Sequence, residues 1–191
     1  MNRKLVVVVV VAAVLALLAG AAVGRSLLSP DDTTGTADVV RFKDPDSRIS
    51  IAYPATWKRQ PDRPQDPELV LLVARDVSAS LLVRVTPSGL DAPVTQATLP
   101  IVRKYTDSLL SADQRAKQLT EPVAVGVGGL PGWRYRYTFG DEASGGAHDH
   151  YFLFKEGKLV QLVFQAVPAK RLPGLAETFD SIAASFRGRE A

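Results

Sequence analysis

The two histidines of the chain, His148 and His150, stand one residue apart in the stretch GGAHDHYF. In a strand, side chains at that spacing point to the same face and lie about 7 Å apart along the backbone. Such a pair is suited to binding a zinc ion, and either ring could act as a general base near neutral pH. Zinc requires at least one further ligand, for which Asp141 or Glu142 across a hairpin would have to bend inward.

The alternative is that these histidines lie on the solvated rim of a hairpin. They follow a Gly-Gly loop at the start of a strand, where exposed polar residues are ordinary. Asp149 points to the opposite face, and no third ligand stands at a fixed spacing. We favour the rim, with no catalytic residue, bound metal or cofactor. We therefore expect a double change to alanine to leave folding intact.

The stretch WRYRYTF alternates aromatic with other residues, as a half-buried strand does. One face carries four aromatic side chains: Trp133, Tyr135, Tyr137 and Phe139. This row either lines a ligand groove or, as we favour, packs in the core beneath a helix. The other face carries Arg134 and Arg136, which we expect to form a basic strip with Arg84. That strip is either a solvated face or a binding surface for an anion or a partner.

The common catalytic and nucleotide-binding signatures are missing from the sequence. GVGGLPG has Pro131 where a dinucleotide-binding loop needs its last glycine, and it joins two strands instead of opening a helix. No GxSxG, HExxH or P-loop pattern occurs. The chain has no cysteine, which excludes a disulfide, a thiolate nucleophile and a lipid-bearing cysteine. These observations favour a protein without enzymatic activity.

The elements that must position these residues are strands and helices in the order strands, helix, strands, helix. Strand patterns separated by Gly- and Pro-containing turns occupy residues 47–54, 68–76, 79–87, 122–127, 132–139, 148–156 and 158–167. Helical spacing marks residues 98–119 and 172–188, and a capping box at 111–114 predicts a second short helix. Because short hairpin turns require antiparallel pairing, the sequence predicts an α+β fold, a twisted antiparallel sheet packed by helices. Trp57 and Trp133 are expected to be structural.

The N-terminal segment has a different character. From Leu5 to Val23, 19 residues carry no charged or polar side chain. A helix of that length spans about 28 Å, close to a hydrocarbon core of about 30 Å. Arg3 and Lys4 precede the run, so the bulk of the chain is expected outside the cytoplasm. The predicted division is a cytoplasmic n-region (1–4), a transmembrane signal anchor (5–24), a flexible linker (25–38), an extracytoplasmic domain (39–187) and a tail (188–191).

A cleaved signal peptide is the alternative to an anchor. The residues Ala19, Gly20 and Ala21 offer a small-residue cleavage site, but the apolar run exceeds the roughly 7–15 residues usual for a signal peptide. The length favours the anchor, and both alternatives place the domain outside the cytoplasm.

The net charge of +3 falls to +1 without Arg3 and Lys4, and no basic stripe suggests nucleic acid as a partner.

Several segments together resemble PsbP-like domains, in particular the LpqN-type lipoproteins of actinobacterial envelopes. These segments are ISIAYPATWKR, ASLLVRV, RKYTDSLL, GLPGWRYRYTF, HYFLFKEGKLVQLVFQA and FDSIAASF. The resemblance covers roughly residues 39–187 and implies a helix–sheet–helix sandwich, export, and a binding or accessory role without a catalytic centre. Lipoproteins carry a lipidated cysteine, which this chain lacks, so an N-terminal helix would replace that anchor.

Together these features predict a membrane-anchored, extracytoplasmic, non-catalytic binding or accessory domain of a bacterial cell envelope. Its expected partners are the membrane and a protein or small ligand of the envelope, and no cofactor is expected. One alternative is a small-molecule or lipid carrier that uses a cleft beside the Trp133 strand. A second is a metal-dependent enzyme at His148 and His150.

Overall fold

The computed structural model describes residues 38–111, 116–140 and 145–188. The predicted anchor, most of the linker, residues 112–115 of the expected second short helix, and Asp141 and Glu142 lie outside these ranges. The helical pattern predicted over residues 98–119 is wrong at its C-terminal end, because residues 117–119 belong to a strand. Among the described residues, no helix combines the length and the apolar character needed to cross a bilayer.

The described chain forms nine strands and two α-helices. The strands are β1 (Val39–Asp44), β2 (Ile49–Pro54), β3 (Lys58–Arg59), β4 (Leu69–Asp76), β5 (Ala79–Pro87), β6 (Lys117–Val127), β7 (Leu130–Phe139), β8 (Gly146–Lys155) and β9 (Lys158–Ala166). The helices are α1 (Arg103–Leu110) and α2 (Leu172–Ser185), each preceded by a short 3-10 helix, Leu99–Val102 and Ala169–Arg171 respectively.

Seven strands form one antiparallel sheet in the order β3-β4-β5-β9-β8-β7-β6, and β1 and β2 form a separate hairpin. The predicted α+β class with an antiparallel sheet is therefore confirmed. Two turns show why neighbouring strands fold back. Gly128 and Gly129 join β6 to β7, and Glu156 and Gly157 join β8 to β9, all four with positive φ. Two-residue turns of this kind match the twist of paired strands.

Each face of the sheet has its own core. On the α2 face, Leu175, Phe179 and Ile182 of the helix pack against the sheet and against the inner side of the β1–β2 hairpin. On the α1 face, Trp133, Tyr135 and Tyr137 of β7 pack beneath Leu99 and α1. Alternation along each central strand sends successive side chains to opposite cores. As a result, all ten residues of β8 are buried.

Candidate binding site

The aromatic row of β7 forms the floor of the α1 face. Trp133 is 8% exposed, and its indole nitrogen donates a hydrogen bond to the Leu99 carbonyl at 3.1 Å. The Tyr135 hydroxyl donates to Asp107 at 2.7 Å and lies 2.6 Å from the Thr106 hydroxyl. Burial is the main cause that raises the pKa of Tyr135. These rings are core beneath a helix, as favoured from the sequence. The Trp133 nitrogen attaches the 3-10 helix to the sheet, and the Tyr135 hydroxyl attaches α1.

An open cleft of about 370 Å³ lies between α1 and β6, beside the Trp133 strand. Its lining combines charged, polar and apolar side chains: Arg103, Asp107, Leu110, Ser111, Ala116, Gln118 and Glu121. The Arg103 guanidinium lies over the Trp133 ring, 5.5 Å from its centroid, and contacts Glu121 at 3.1 Å and Asp107 at 3.7 Å. Ring stacking and ion pairing restrain this cation at the cleft wall.

The geometry of the cleft suits binding of a small polar molecule. Asp107 is oriented by Tyr135, while Glu121 is 84% exposed and can reorient toward a ligand. Leu110 and Ala116 add a small apolar surface. Five of the seven lining residues are polar or charged, so the cleft differs from the enclosed, mostly apolar pockets that hold larger ligands. The sequence pointed to the neighbouring strand, but the lining residues of α1 and β6 were not identified from it.

The prediction that His148 and His150 lie on a solvated rim is wrong, because each is only 3% exposed. The Tyr137 hydroxyl lies 3.0 Å from Nδ1 of His148 and 3.1 Å from Nδ1 of His150. Nε2 of His148 lies 3.1 Å from Oε1 of Gln165 on β9. The physical reason is that β8 lies inside the sheet with a layer on each side. Because Tyr137 and Gln165 would lose buried partners, we now expect alanine at both positions to destabilise the fold instead of leaving it intact.

Burial also limits what these histidines can do chemically. A general base must come within hydrogen-bond reach of a substrate, which a 3% exposed ring cannot do in this conformation. Among the described residues, no group of three His, Asp or Glu side chains is placed to hold a metal ion. The two proposed third ligands, Asp141 and Glu142, lie outside the described ranges. Zinc binding at this position, the alternative that we did not favour, therefore stays untested.

The three arginines expected to form a basic strip are not brought together. Arg134 and Arg136 of β7 lie on the α2 face, where the nitrogen Nε of each donates to the Asp149 carboxylate, at 2.6 and 3.1 Å. Arg134 also bonds Asp180 of α2 at 2.5 Å. Arg84 lies on the opposite, α1 face, where it is 5% exposed.

These arginines form ion pairs with carboxylates of the same domain, which hold neighbouring elements together. Arg84 contacts Asp66 at 2.6 Å and Glu68 at 3.3 Å. Burial acts to lower the pKa of Arg134, but the hydrogen bond and charge of Asp149 raise it by more. Asp149, which the sequence showed only to point away from the histidines, is fully buried at the centre of this network. The sequence signal was that Asp149 and the two arginines belong to strands joined by a hairpin loop, whereas their register came from the structure.

Comparison with known proteins shows similarity in structure but not in sequence. A scan of protein-family models matches none of them, and no curated protein sequence matches. The solution structure of cyanobacterial PsbP (CyanoP) from Synechocystis sp. PCC 6803 has a TM-score of 0.58 at 18% identity, over 84% of this chain and 98% of that chain. LpqN, involved in cell envelope biogenesis of Mycobacterium tuberculosis, has a TM-score of 0.55 at 13% identity, over 83% and 98% of the chains.

A third similar structure is the Saccharomyces cerevisiae Ran-binding protein Mog1p, with a TM-score of 0.50 at 9% identity, over 80% of this chain and 96% of that chain. These identities are low, so the likeness concerns the fold. Proteins of one fold carry out unrelated functions, and the site must be argued separately. An antiparallel sheet with helices on both faces, shared with CyanoP and LpqN, gives the chain a fold of the PsbP-like kind.

Proposed function

We propose that the chain is a membrane-anchored, extracytoplasmic accessory domain of a bacterial cell envelope that acts by binding and not by catalysis. The fold shared with LpqN, a protein involved in cell envelope biogenesis, is the observation that carries this proposal. The uncharged run from Leu5 to Val23 supplies the anchor, and the basic residues before it set the orientation. The membrane is therefore the first partner.

The non-catalytic part of the proposal is supported by how the titratable side chains are used. The two histidines are buried, and Tyr135 and Asp149 are held by hydrogen bonds to neighbouring side chains. Catalytic acids and bases must instead reach a substrate. One exposed group of polar side chains in the described part of the chain, Arg103, Asp107 and Glu121 at the α1–β6 cleft, is suited to recognition.

The topology is tested by adding protease to intact cells that express the full chain with a C-terminal epitope. We expect the domain to be degraded without lysis, while the anchor fragment stays in the membrane fraction after alkaline carbonate extraction. Protection of the domain until lysis would place it in the cytoplasm and contradict the proposal. Release of the intact domain into the medium would indicate a cleaved signal peptide instead of an anchor.

A carrier of a small molecule is the second candidate function, favoured by the cleft of about 370 Å³ beside the Trp133 strand. Native mass spectrometry of the full chain, purified from its own membranes in nanodiscs, should then show a bound small molecule. Ser111→Trp places a bulky ring in the cleft from an exposed position, and we expect it to abolish the adduct. Ser108→Trp, on the same helix but outside the lining, is the matched control and should retain it.

The two variants separate the possible outcomes of this experiment. An adduct that survives in Ser111→Trp places the ligand elsewhere on the chain. The absence of any adduct from the unmodified chain sets the carrier function aside and leaves the accessory role unaffected. Both substitutions are at exposed positions, so changes in stability should stay within about 0.5 kcal/mol.

A further inference from the structure

His150 is buried among aromatic side chains. Its ring stacks on Phe152 with centroids 3.9 Å apart, and its Nδ1 lies 3.1 Å from the Tyr137 hydroxyl. Among the described residues, Nε2 makes no hydrogen bond of regular geometry, although the Gln161 side chain is close enough to interact with the ring. Burial first, and then the charge of His148, lower the pKa of His150 to about 3, although the nearby Gln161 amide offsets part of this effect. The folded domain therefore holds a neutral imidazole.

The His150 ring is connected to α1 through two aromatic contacts. Phe152, on which it stacks, meets the Tyr135 ring edge to face with centroids 5.5 Å apart. The Tyr135 hydroxyl in turn bonds Thr106 and Asp107 of α1. A displacement of His150 toward water therefore disturbs the side chains that attach α1 to the sheet.

The α1 face is also the weaker of the two cores. Of the eight residues of α1, only Thr106 is buried. Helix α2 has 14 residues and buries five of them. The sheet separates the two cores, so one layer can open while the other stays packed.

We propose that acid pH opens the α1 face of the domain: protonation of His150 releases α1 and the preceding 3-10 helix from the sheet, while the α2 face stays packed. The opened state exposes the aromatic row of β7. This inference does not depend on the membrane anchor.

The direction of the pH dependence follows from the two protonation equilibria. In an opened, hydrated state the imidazole titrates near its ordinary pKa of 6.5, whereas in the closed state its pKa is about 3. The open state therefore binds the extra proton between these values. The opening constant therefore rises as the pH falls below 6.5 and is independent of this proton above that pH. For one proton, the increase is at most about tenfold per pH unit.

Other groups on this face could titrate or interact with the added charge. From β7 these are Tyr135 and Tyr137, from β8 His148, from β9 the uncharged Gln161 and Gln165, from α1 Arg103 and Asp107, and from β5 Arg84 with its partners Asp66 and Glu68. Asp149 points to the α2 face. Asp107 is the main alternative source of a pH effect, because it accepts a hydrogen bond from the Tyr135 hydroxyl and its own protonation would weaken the attachment of α1.

Hydrogen exchange with mass spectrometry on the full chain in nanodiscs tests the proposal. Between pH 7 and pH 4.5, after correction for intrinsic exchange rates, we expect the opening constant of α1 peptides to rise by at least tenfold. Peptides of α2 should keep their protection. Loss of protection in both helices together would mean global unfolding and would overturn the proposal.

Two variants identify the responsible group. His150→Phe fills the same space without a titrating nitrogen, and we expect it to remove most of the pH dependence of α1 opening. Asp107→Asn still accepts the Tyr135 hydroxyl and should keep that dependence. If His150→Phe does not fold, His150→Gln serves the same purpose. A pH response that persists in the His150 variants, or disappears in Asp107→Asn, assigns the effect to another group.

Discussion

Replacing Asp149 with alanine should lower the free energy of unfolding by about 3–5 kcal/mol, the range observed when one partner of a buried ion pair is removed. Asp149 is fully buried and accepts hydrogen bonds from Arg134 and Arg136, whose side chains are 20% and 32% exposed. The variant leaves two largely desolvated guanidinium groups near a cavity. Urea denaturation followed by tryptophan fluorescence at pH 7 measures the change.

Controls around Asp149 separate its charge from its packing. Asp180→Ala removes the other carboxylate that contacts Arg134, but this side chain is 52% exposed, so the loss should stay below about 1 kcal/mol. A combined Asp149→Leu, Arg134→Met, Arg136→Leu change replaces the carboxylate and both of its arginine partners with apolar groups and should recover much of the stability. Equal losses from Asp149→Ala and Asp180→Ala would contradict the central position of Asp149.

Replacing Trp57 with alanine should also lower the free energy of unfolding by about 3–5 kcal/mol, because a large buried ring leaves a cavity. Trp57 is 3% exposed and meets Phe179 of α2 edge to face, with ring centroids 6.3 Å apart. It follows β2 and precedes the short edge strand β3, so it fills the end of the α2-face core. For a domain of this size the melting temperature should fall by about 6–20 °C.

An exposed apolar residue provides the control for Trp57. Val77 in the turn between β4 and β5 is 56% exposed, and Val77→Ala should change stability by less than about 0.5 kcal/mol. Calorimetry on both variants gives the comparison. An unchanged melting temperature for Trp57→Ala would show that this ring does not close the core as the structure indicates.

The local elements of the fold could be predicted from the sequence. Alternation identified β2, β5 and β7, and turn residues on either side marked β8 and β9. The four-three-four spacing of Leu175, Phe179, Ile182 and Phe186 identified the apolar face of α2, with Phe186 just beyond the helix end. Glycine-containing turns marked the hairpins. These signals are short-range, because backbone sterics and the burial of one face act on neighbouring residues.

The candidate sites were harder to predict, as His148 and Arg84 illustrate. Alternation placed His148 and His150 on one face of a strand, but it could not show that a second layer covers that face. Arg84 was grouped with Arg134 because both point away from apolar neighbours on their own strands. Their relative faces depend on the register through β9 and β8, which lie between β5 and β7 in the sheet.

For this chain, the order of its elements, the positions of its hairpin turns and the apolar N-terminal run can all be read directly from the residues. Only the tertiary structure shows which polar groups contact each other, because these contacts depend on strand pairing and on the layers packed on both faces of the sheet. Asp149 joins two arginines, Tyr137 joins two histidines, and Arg103 stacks on Trp133 across pairings of residues distant in sequence. Strand register and layer packing are long-range properties, and no local pattern encodes them.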